Sequence, residues 1–222
     1  MIQIAVLGNK GGVGKTAIAT HLAWALAERY RVTLVDADYA QHSGLRWLTR
    51  ITKPAELDRA FRVENKPALS CLPLSTNKVE DYKKLIPIGT DFAVIDGRPE
   101  PKVTIAVMRQ LEKGDVIILP IDAGSKDSLR QAYELHKVIS RTPTSARVYT
   151  LFNKIPWSRL PPRARAKLEE YGLHVLGGIP WTEYFQWSER QGVPLWDIRG
   201  GKRTKAAKFI GLLAEYISKG VS

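Results

Sequence analysis

Two rhythms of apolar residues alternate along the whole chain. One is the short, nearly continuous apolar run, found at residues 2–7, 31–36, 69–74, 92–96, 116–121, 147–153 and 173–179. Runs of this length with little polar alternation predict strands buried on both faces, as in a parallel sheet. The other rhythm is helical. Ile18, Leu22, Ala25, Leu26 and Arg29 recur at three- and four-residue spacing through residues 14–30, which predicts a helix. Residues 102–112, 125–140, 163–171, 184–191 and 202–218 read the same way. Strand and helix following one another to the end predict an α/β fold, a doubly wound, mostly parallel sheet with helices on both faces. Residues 52–66 break the rhythm, being polar and irregular, and read as a mobile surface excursion. The chain has 222 residues and no repeat or low-complexity linker, so residues 1–222 are expected to form a single domain with a sizeable core. The first strand begins at residue 2, and no upstream DNA-binding or targeting module is expected.

Ligands in such sheets bind at the carboxyl ends of the strands. The first of these ends reads Asn9-Lys10-Gly11-Gly12-Val13-Gly14-Lys15-Thr16. A glycine-rich turn between strand and helix aims backbone N–H groups inward, where they surround a di- or triphosphate. Lys15 is placed to reach the β- and γ-phosphates and Thr16 to ligate Mg²⁺. Asn9 stands where the general pattern has glycine, with Gly8 one step earlier. Asn tolerates left-handed backbone angles better than most residues, so the turn is expected to survive. Lys10 is not needed for the loop's own job. It suggests a second positive charge aimed at phosphate, including phosphate bound by a neighbouring subunit.

Two other predicted strands end in carboxylates. Val35-Asp36-Ala37-Asp38 closes the second strand, and Asp36 and Asp38 point the same way if the strand continues. One can hold a metal or its water while the other positions an attacking water; the bland reading is an acidic turn. The apolar run 92–96 ends in Asp96, the position at which P-loop NTPases meet the Mg²⁺ shell. Gly97-Arg98-Pro99 then turns away sharply, glycine and proline setting the bend. Arg98 is either a contact to phosphate or nucleic acid or a surface charge.

Lys10-Gly11-Gly12-Val13-Gly14-Lys15-Thr16, Val35-Asp36-Ala37-Asp38 and Val94-Ile95-Asp96, in that order, resemble the ParA/MinD family of deviant Walker ATPases. Asn153-Lys154 is similar to the family's late base motif, Ile179-Pro180-Trp181-Thr182 to its loop over the base, and Gly192-Val193-Pro194-Leu195-Trp196 to its Gly-x-Pro segment. The likeness implies ATP and Mg²⁺ as ligands, with the loop from Lys10 through Thr16 and Ala17 around the nucleotide. It makes Lys10 a signature lysine that crosses to a partner's phosphates in a sandwich homodimer. Lys15 does ordinary loop work, and Asp38 orients the water, completing a catalytic set of Lys10, Lys15 and Asp38. Thr16, Asp36 and Asp96 serve the metal. Asn153 bonds adenine, with Pro180 and Trp181 beside it. Two departures are Ala17, where the family often has a second Thr, and Arg98, where many members have a small residue or proline.

Charge changes the picture further. The formal net charge is +12, which predicts attraction to polyanions. No Asp or Glu lies between Leu135 and Leu168, a stretch that holds Arg159, Arg163, Arg165 and Lys167, nor between Ile198 and Ala214, which holds Arg199, Lys202, Arg203, Lys205 and Lys208. Such blocks fit nonspecific binding to a DNA backbone. Residues 205–218 also carry an apolar stripe beside lysines, the pattern of a membrane-surface helix, but packing on the sheet is the better reading and a membrane role is not expected. The single cysteine, Cys71, excludes an intrachain disulfide and a Cys-based cluster, and so a nitrogenase-reductase-like electron donor. The four histidines lack ligand spacing. Together these readings predict a short, cytoplasmic, nucleoid-associated partition ATPase. Its ATP-bound dimer coats DNA and a centromere-binding partner protein stimulates hydrolysis. The alternatives are a MinD-like membrane ATPase, a metabolic P-loop ligase and a nucleotide-gated scaffold with little turnover.

Overall fold

The computed structural model describes residues 1–49, 57–123, 125–156 and 162–220. Its strands are β1 (Ile2–Val6), β2 (Val32–Asp36), β3 (Phe61–Val63), β4 (Lys66–Pro73), β5 (Phe92–Asp96), β6 (Val116–Asp122), β7 (Arg147–Ile155) and β8 (His174–Pro180). Its helices are α1 (Lys15–Leu26), α2 (Ser43–Thr49), α3 (Pro101–Met108), α4 (Lys126–Arg141), α5 (Pro162–Glu170), α6 (Tyr184–Gln191) and α7 (Lys205–Lys219). The strands form one eight-stranded sheet in the order β3-β4-β2-β5-β1-β6-β7-β8. Only the β3–β4 pair is antiparallel. The predicted doubly wound α/β sheet is thus the observed one.

Strand pleating divides the core in two. Ile4 and Val6 on β1 and Leu34 on β2 face one layer, with Ile18 and Leu22 of α1 and Ile210 and Leu213 of α7. Their neighbours Ala5, Leu7 and Val35 face the other, with Val107 of α3, Leu135 of α4 and Leu168 of α5. Successive side chains in a strand point to opposite faces, so a continuous apolar run is what two covered faces require. Most of the apolar stripe of α7 is spent here: Ile210, Leu213 and Ile217 are buried with Ala206, Ala207 and Ala214, and Phe209 packs against them, while Tyr216 stays 51% exposed. Among the described residues no helix is long and apolar enough to cross a membrane.

Three local expectations are corrected. The excursion expected over residues 52–66 contains β3, whose Phe61 pairs with Cys71 and whose Val63 is buried; residues 52–56 lie outside the described residues. A three-residue strand joined by a tight turn leaves too short a pattern to see. Helix α1 stops at Leu26 rather than Tyr30. The last helix starts at Lys205 rather than Lys202, because Thr204 takes extended backbone and its hydroxyl accepts from Ala207 N at 3.1 Å, an N-cap. Residues Gly201–Arg203 form a separate 3-10 turn. Helix α2 had no predicted counterpart, being only two turns long.

Candidate active site

The sheet reverses its winding direction at β1, between β5 and β6, which puts the crevice for a ligand at β1's carboxyl end. Register completes the site: Asp96 lies level with Val6 on one side and with Asp36 on the other. The turn between β1 and α1 is shaped by glycines. Gly12 and Gly14 take positive φ of 75° and 96°, and a Cβ on Gly14 would land 2.0 Å from Asn153 Nδ2. Asn9 is not among the positive-φ residues, so the tolerance expected of it goes unused.

Side chains brace the loop from behind. Asn153 Nδ2 donates to Val13 O at 2.8 Å and Lys154 Nζ to Gly12 O at 2.6 Å. Lys154 is itself tethered to Asp122 at 3.1 Å. Asn153 therefore commits an amide proton to the loop backbone. Lys15 is buried, its ammonium 2.8 Å from Lys10 O. Burial lowers its pKa, and Asp96 and then Asp38 act against that. Lys10 Nζ donates to Ser125 Oγ at 3.1 Å, just before α4.

The acidic residues differ in environment. Asp36 is fully buried and has both oxygens occupied, Oδ1 by Asp38 N at 3.1 Å and Oδ2 by Leu45 N at 2.9 Å. It pins the loop after β2 and the start of α2. Because β2 ends at Asp36, Asp36 and Asp38 do not share a strand face as expected; Asp38 sits in the following loop, half-buried at the cleft. Burial pushes the Asp36 carboxyl up to about 6, against the N–H groups that favour its charge. The Asp96 carboxyl rises to about 8, first by burial and then by Asp36, while Thr16 and Lys15 pull it down. Its Oδ2 is buried with no hydrogen-bond partner. An orphaned carboxylate oxygen beside a threonine hydroxyl suits a hard cation, and a cation there favours the ionised form. Among the described residues no three His, Cys, Asp or Glu side chains form a metal cage.

These groups open on a cleft of about 330 Å³ lined by Gly11, Gly12, Gly14, Lys15, Thr16, Ala17, Asp38, Gly97 and Pro99, and on its far wall by Trp47, Phe185, Gln186 and Glu189. The far wall carried no sequence signal, since it comes from α2 and α6. It is bolted to α1 by a buried hydroxyl: Ser188 Oγ meets His21 Nε2 at 3.1 Å, Trp47 Nε1 at 2.9 Å and Val193 O at 2.5 Å. His21 Nδ1 lies 2.7 Å from Ala17 O, so the neutral ring carries its proton there. Pro180 and Trp181 are not in the cleft wall, and Trp181 is 58% exposed. A larger cavity of about 440 Å³ lies between the end of α1 and α7. It lacks any phosphate-binding turn, so the smaller cleft is the site.

The sequence model of the CobQ/CobB/MinD/ParA nucleotide binding domain matches residues 4–195. The chain belongs to this family. A relative, the maintenance of carboxysome distribution protein A of Gloeobacter kilaueensis, is 32% identical over 82% of this chain and 74% of its own. In fold the chain is similar to the septum site-determining protein MinD of Pyrococcus horikoshii, solved with Mg-ADP (TM-score 0.79, 19% identity, 98% and 96% of the two chains). It is also similar to a ParA family ATPase of Chlorobium tepidum (TM-score 0.76, 19% identity, 96% and 97% covered). Membership makes this a nucleotide-binding domain of the ParA/MinD type, a group whose activity is ATP hydrolysis.

The basic residues expected at DNA fall on two surfaces, not one. Arg163, Arg165 and Lys167 lie exposed on α5, while Arg199, Lys202, Arg203, Lys205 and Lys208 lie exposed around the start of α7. Helices α5 and α7 pack on opposite faces of the sheet beside the edge strand β8. In the first block Arg165 is paired with Glu169 at 2.8 Å. No ion pair holds any cation of the second block among the described residues. Arg159 lies outside the described residues.

Proposed function

We propose that this domain is an ATP-switched positioning ATPase of the partition type, working as a homodimer on DNA in the cytoplasm, over the nucleoid. The observation that carries the reading is the exposed, unneutralised run Arg199–Lys208 on a chain that also carries a phosphate loop. Neutralising backbone phosphates with such a run gives sequence-independent binding that weakens steeply with salt. A centromere-binding partner protein would link the DNA-bound dimer to a plasmid or chromosome. The relative named for carboxysome distribution favours a second reading, in which the same machine positions a protein compartment instead. The burial of α7's apolar stripe speaks against a membrane-surface helix.

In the catalytic step Lys15 and the loop N–H groups bind the β- and γ-phosphates, while Asp38, at the open side of the cleft, orients a water for in-line attack. Lys10 would reach the other protomer's phosphates, so that the nucleotide holds the dimer together. Asn153, with Pro180 and Trp181, would border the base. Thr16 and Asp96 would hold Mg²⁺, with Asp36 fixing the surrounding loop; the ion, when bound, would neutralise charge on the transferring phosphoryl group.

The test is DNA retention together with light scattering in ADP, ATP and a nonhydrolysable analogue. Dimers and retained DNA are expected with ATP and the analogue but not ADP. A monomer in saturating ATP, or retention indifferent to nucleotide, rejects the reading.

A further inference from the structure

Arg98 departs from the family pattern, and its contacts give it a task. Residues on either side of the cleft alternate between facing it and facing away. Asp38, Gly97 and Pro99 line the cleft; Tyr39, Arg98 and Glu100 meet one another behind it. Tyr39 Oη donates to Glu100 Oε2 at 2.8 Å. Arg98 Nε lies 3.3 Å from the same oxygen, and its guanidinium stacks 4.4 Å from the centre of the Tyr39 ring. Glu100 is the N-cap residue of α3, yet its side chain makes no capping bond there. Glutamate is not among the preferred N-cap residues, and this carboxylate reaches the neighbouring loop instead. The hydrogen bond also raises the Tyr39 phenol pKa.

We propose that Tyr39, Arg98 and Glu100 form a clasp that ties the loop after β2 to the loop after β5 and thereby sets the position of Asp38. The clasp rests on the ATPase reading above. Its members are positioning residues: none lines the cleft, and all act through Asp38 or through Gly97 and Pro99. The two loops are joined at their root by Ala37 N to Asp96 O at 3.1 Å. Beyond that point the Asp38 loop turns back on itself through Gln41 N and His42 N, both bonded to Asp38 O at 2.9 and 2.8 Å. Asp36 holds the turn from the strand side through Asp38 N at 3.1 Å; the clasp adds the side-chain contact that ties it to the loop following Asp96. A charge-assisted hydrogen bond with a stacked guanidinium is directional enough to do so.

The test uses the full chain with Tyr39→Phe, Glu100→Ala and their double variant, with Mg²⁺ and ATP. Amide exchange at Gln41 and His42 should quicken by about tenfold in either single variant. Turnover should fall by about tenfold with nucleotide Kd changed by less than about twofold, since geometry at the attacking water affects only the transition state. The double variant should be impaired by less than the two single effects combined, because both remove the Tyr39–Glu100 hydrogen bond while only the change at Glu100 also removes its pairing with Arg98. Unchanged exchange overturns the clasp. So does quickened exchange with normal turnover. A rise in Kd matching the fall in turnover also overturns it, and assigns these residues to the nucleotide itself. A wild type that hydrolyses no ATP rejects the ATPase reading instead, and the exchange rates at the two amides still decide whether the clasp holds the loop.

Discussion

The phosphate end of the sheet and the basic run Arg199–Lys208 both present cations to an anionic ligand, and they are built in opposite ways. At the phosphate end the cation Lys15 is buried, tied to a carbonyl and flanked by Asp96 and Asp38. In the run Arg199–Lys208 every cation is exposed. The first arrangement fixes geometry, at the cost of desolvating charge. The second supplies charge without geometry, which is all that an irregular polyanion needs. A ligand with one shape requires the first and a ligand with any sequence tolerates the second.

Breaking the buried half should have the largest effect. Lys15→Ala should lower ATP affinity by about a hundredfold, read by fluorescent-nucleotide titration, while the basic run keeps its intrinsic affinity for DNA at low salt. Asp38→Ala should split binding from chemistry. We expect nucleotide affinity within about threefold of wild type and turnover reduced by about a hundredfold, with DNA retained in ATP. Normal phosphate release from that variant would move the water-orienting role elsewhere.

The exposed half should respond in proportion to charge. Reversing Lys202, Arg203 and Lys205 together should flatten the dependence of log affinity for DNA on log salt by about one unit or more per lost contact, leaving ATP affinity unchanged. The same treatment of Arg163, Arg165 and Lys167 should do less, because Arg165 is already paired. Equal effects would mean that both faces beside β8 meet DNA.

Acid gives the finest distinction. His21 is fully buried and its pKa is lowered to about 4. The unfolded chain therefore takes up a proton near pH 6.5 that the folded one refuses, so the contribution of His21 to stability falls as pH drops from about 6.5 towards 4, by on the order of 3 kcal/mol. In denaturant unfolding, the stability of wild type relative to His21→Gln should decline as pH falls through that window. The raised carboxyls of Asp36 and Asp96 act with the opposite sign as pH falls, so only the difference between wild type and variant isolates the ring, and a difference that stays constant from about pH 7 to about 4.5 would contradict a buried, neutral His21.

Particular residues show how far the sequence reached. The strand ends were legible because continuous apolar runs stop abruptly at Asp36 and Asp96, and the turn because Gly14 and Lys15 stand at fixed offsets. The diversion of Glu100 to Tyr39, the seating of Asn153 on Val13 and the wall formed by Phe185 and Glu189 left no trace, each joining residues far apart along the chain. Local pattern encodes which elements form and what chemistry their ends carry, because both depend on neighbours a few residues away. Which carboxylate is occupied, which cation is exposed and which loops hold each other depend on strand order and register. Those were decided only when burial on two faces of one sheet chose a single arrangement.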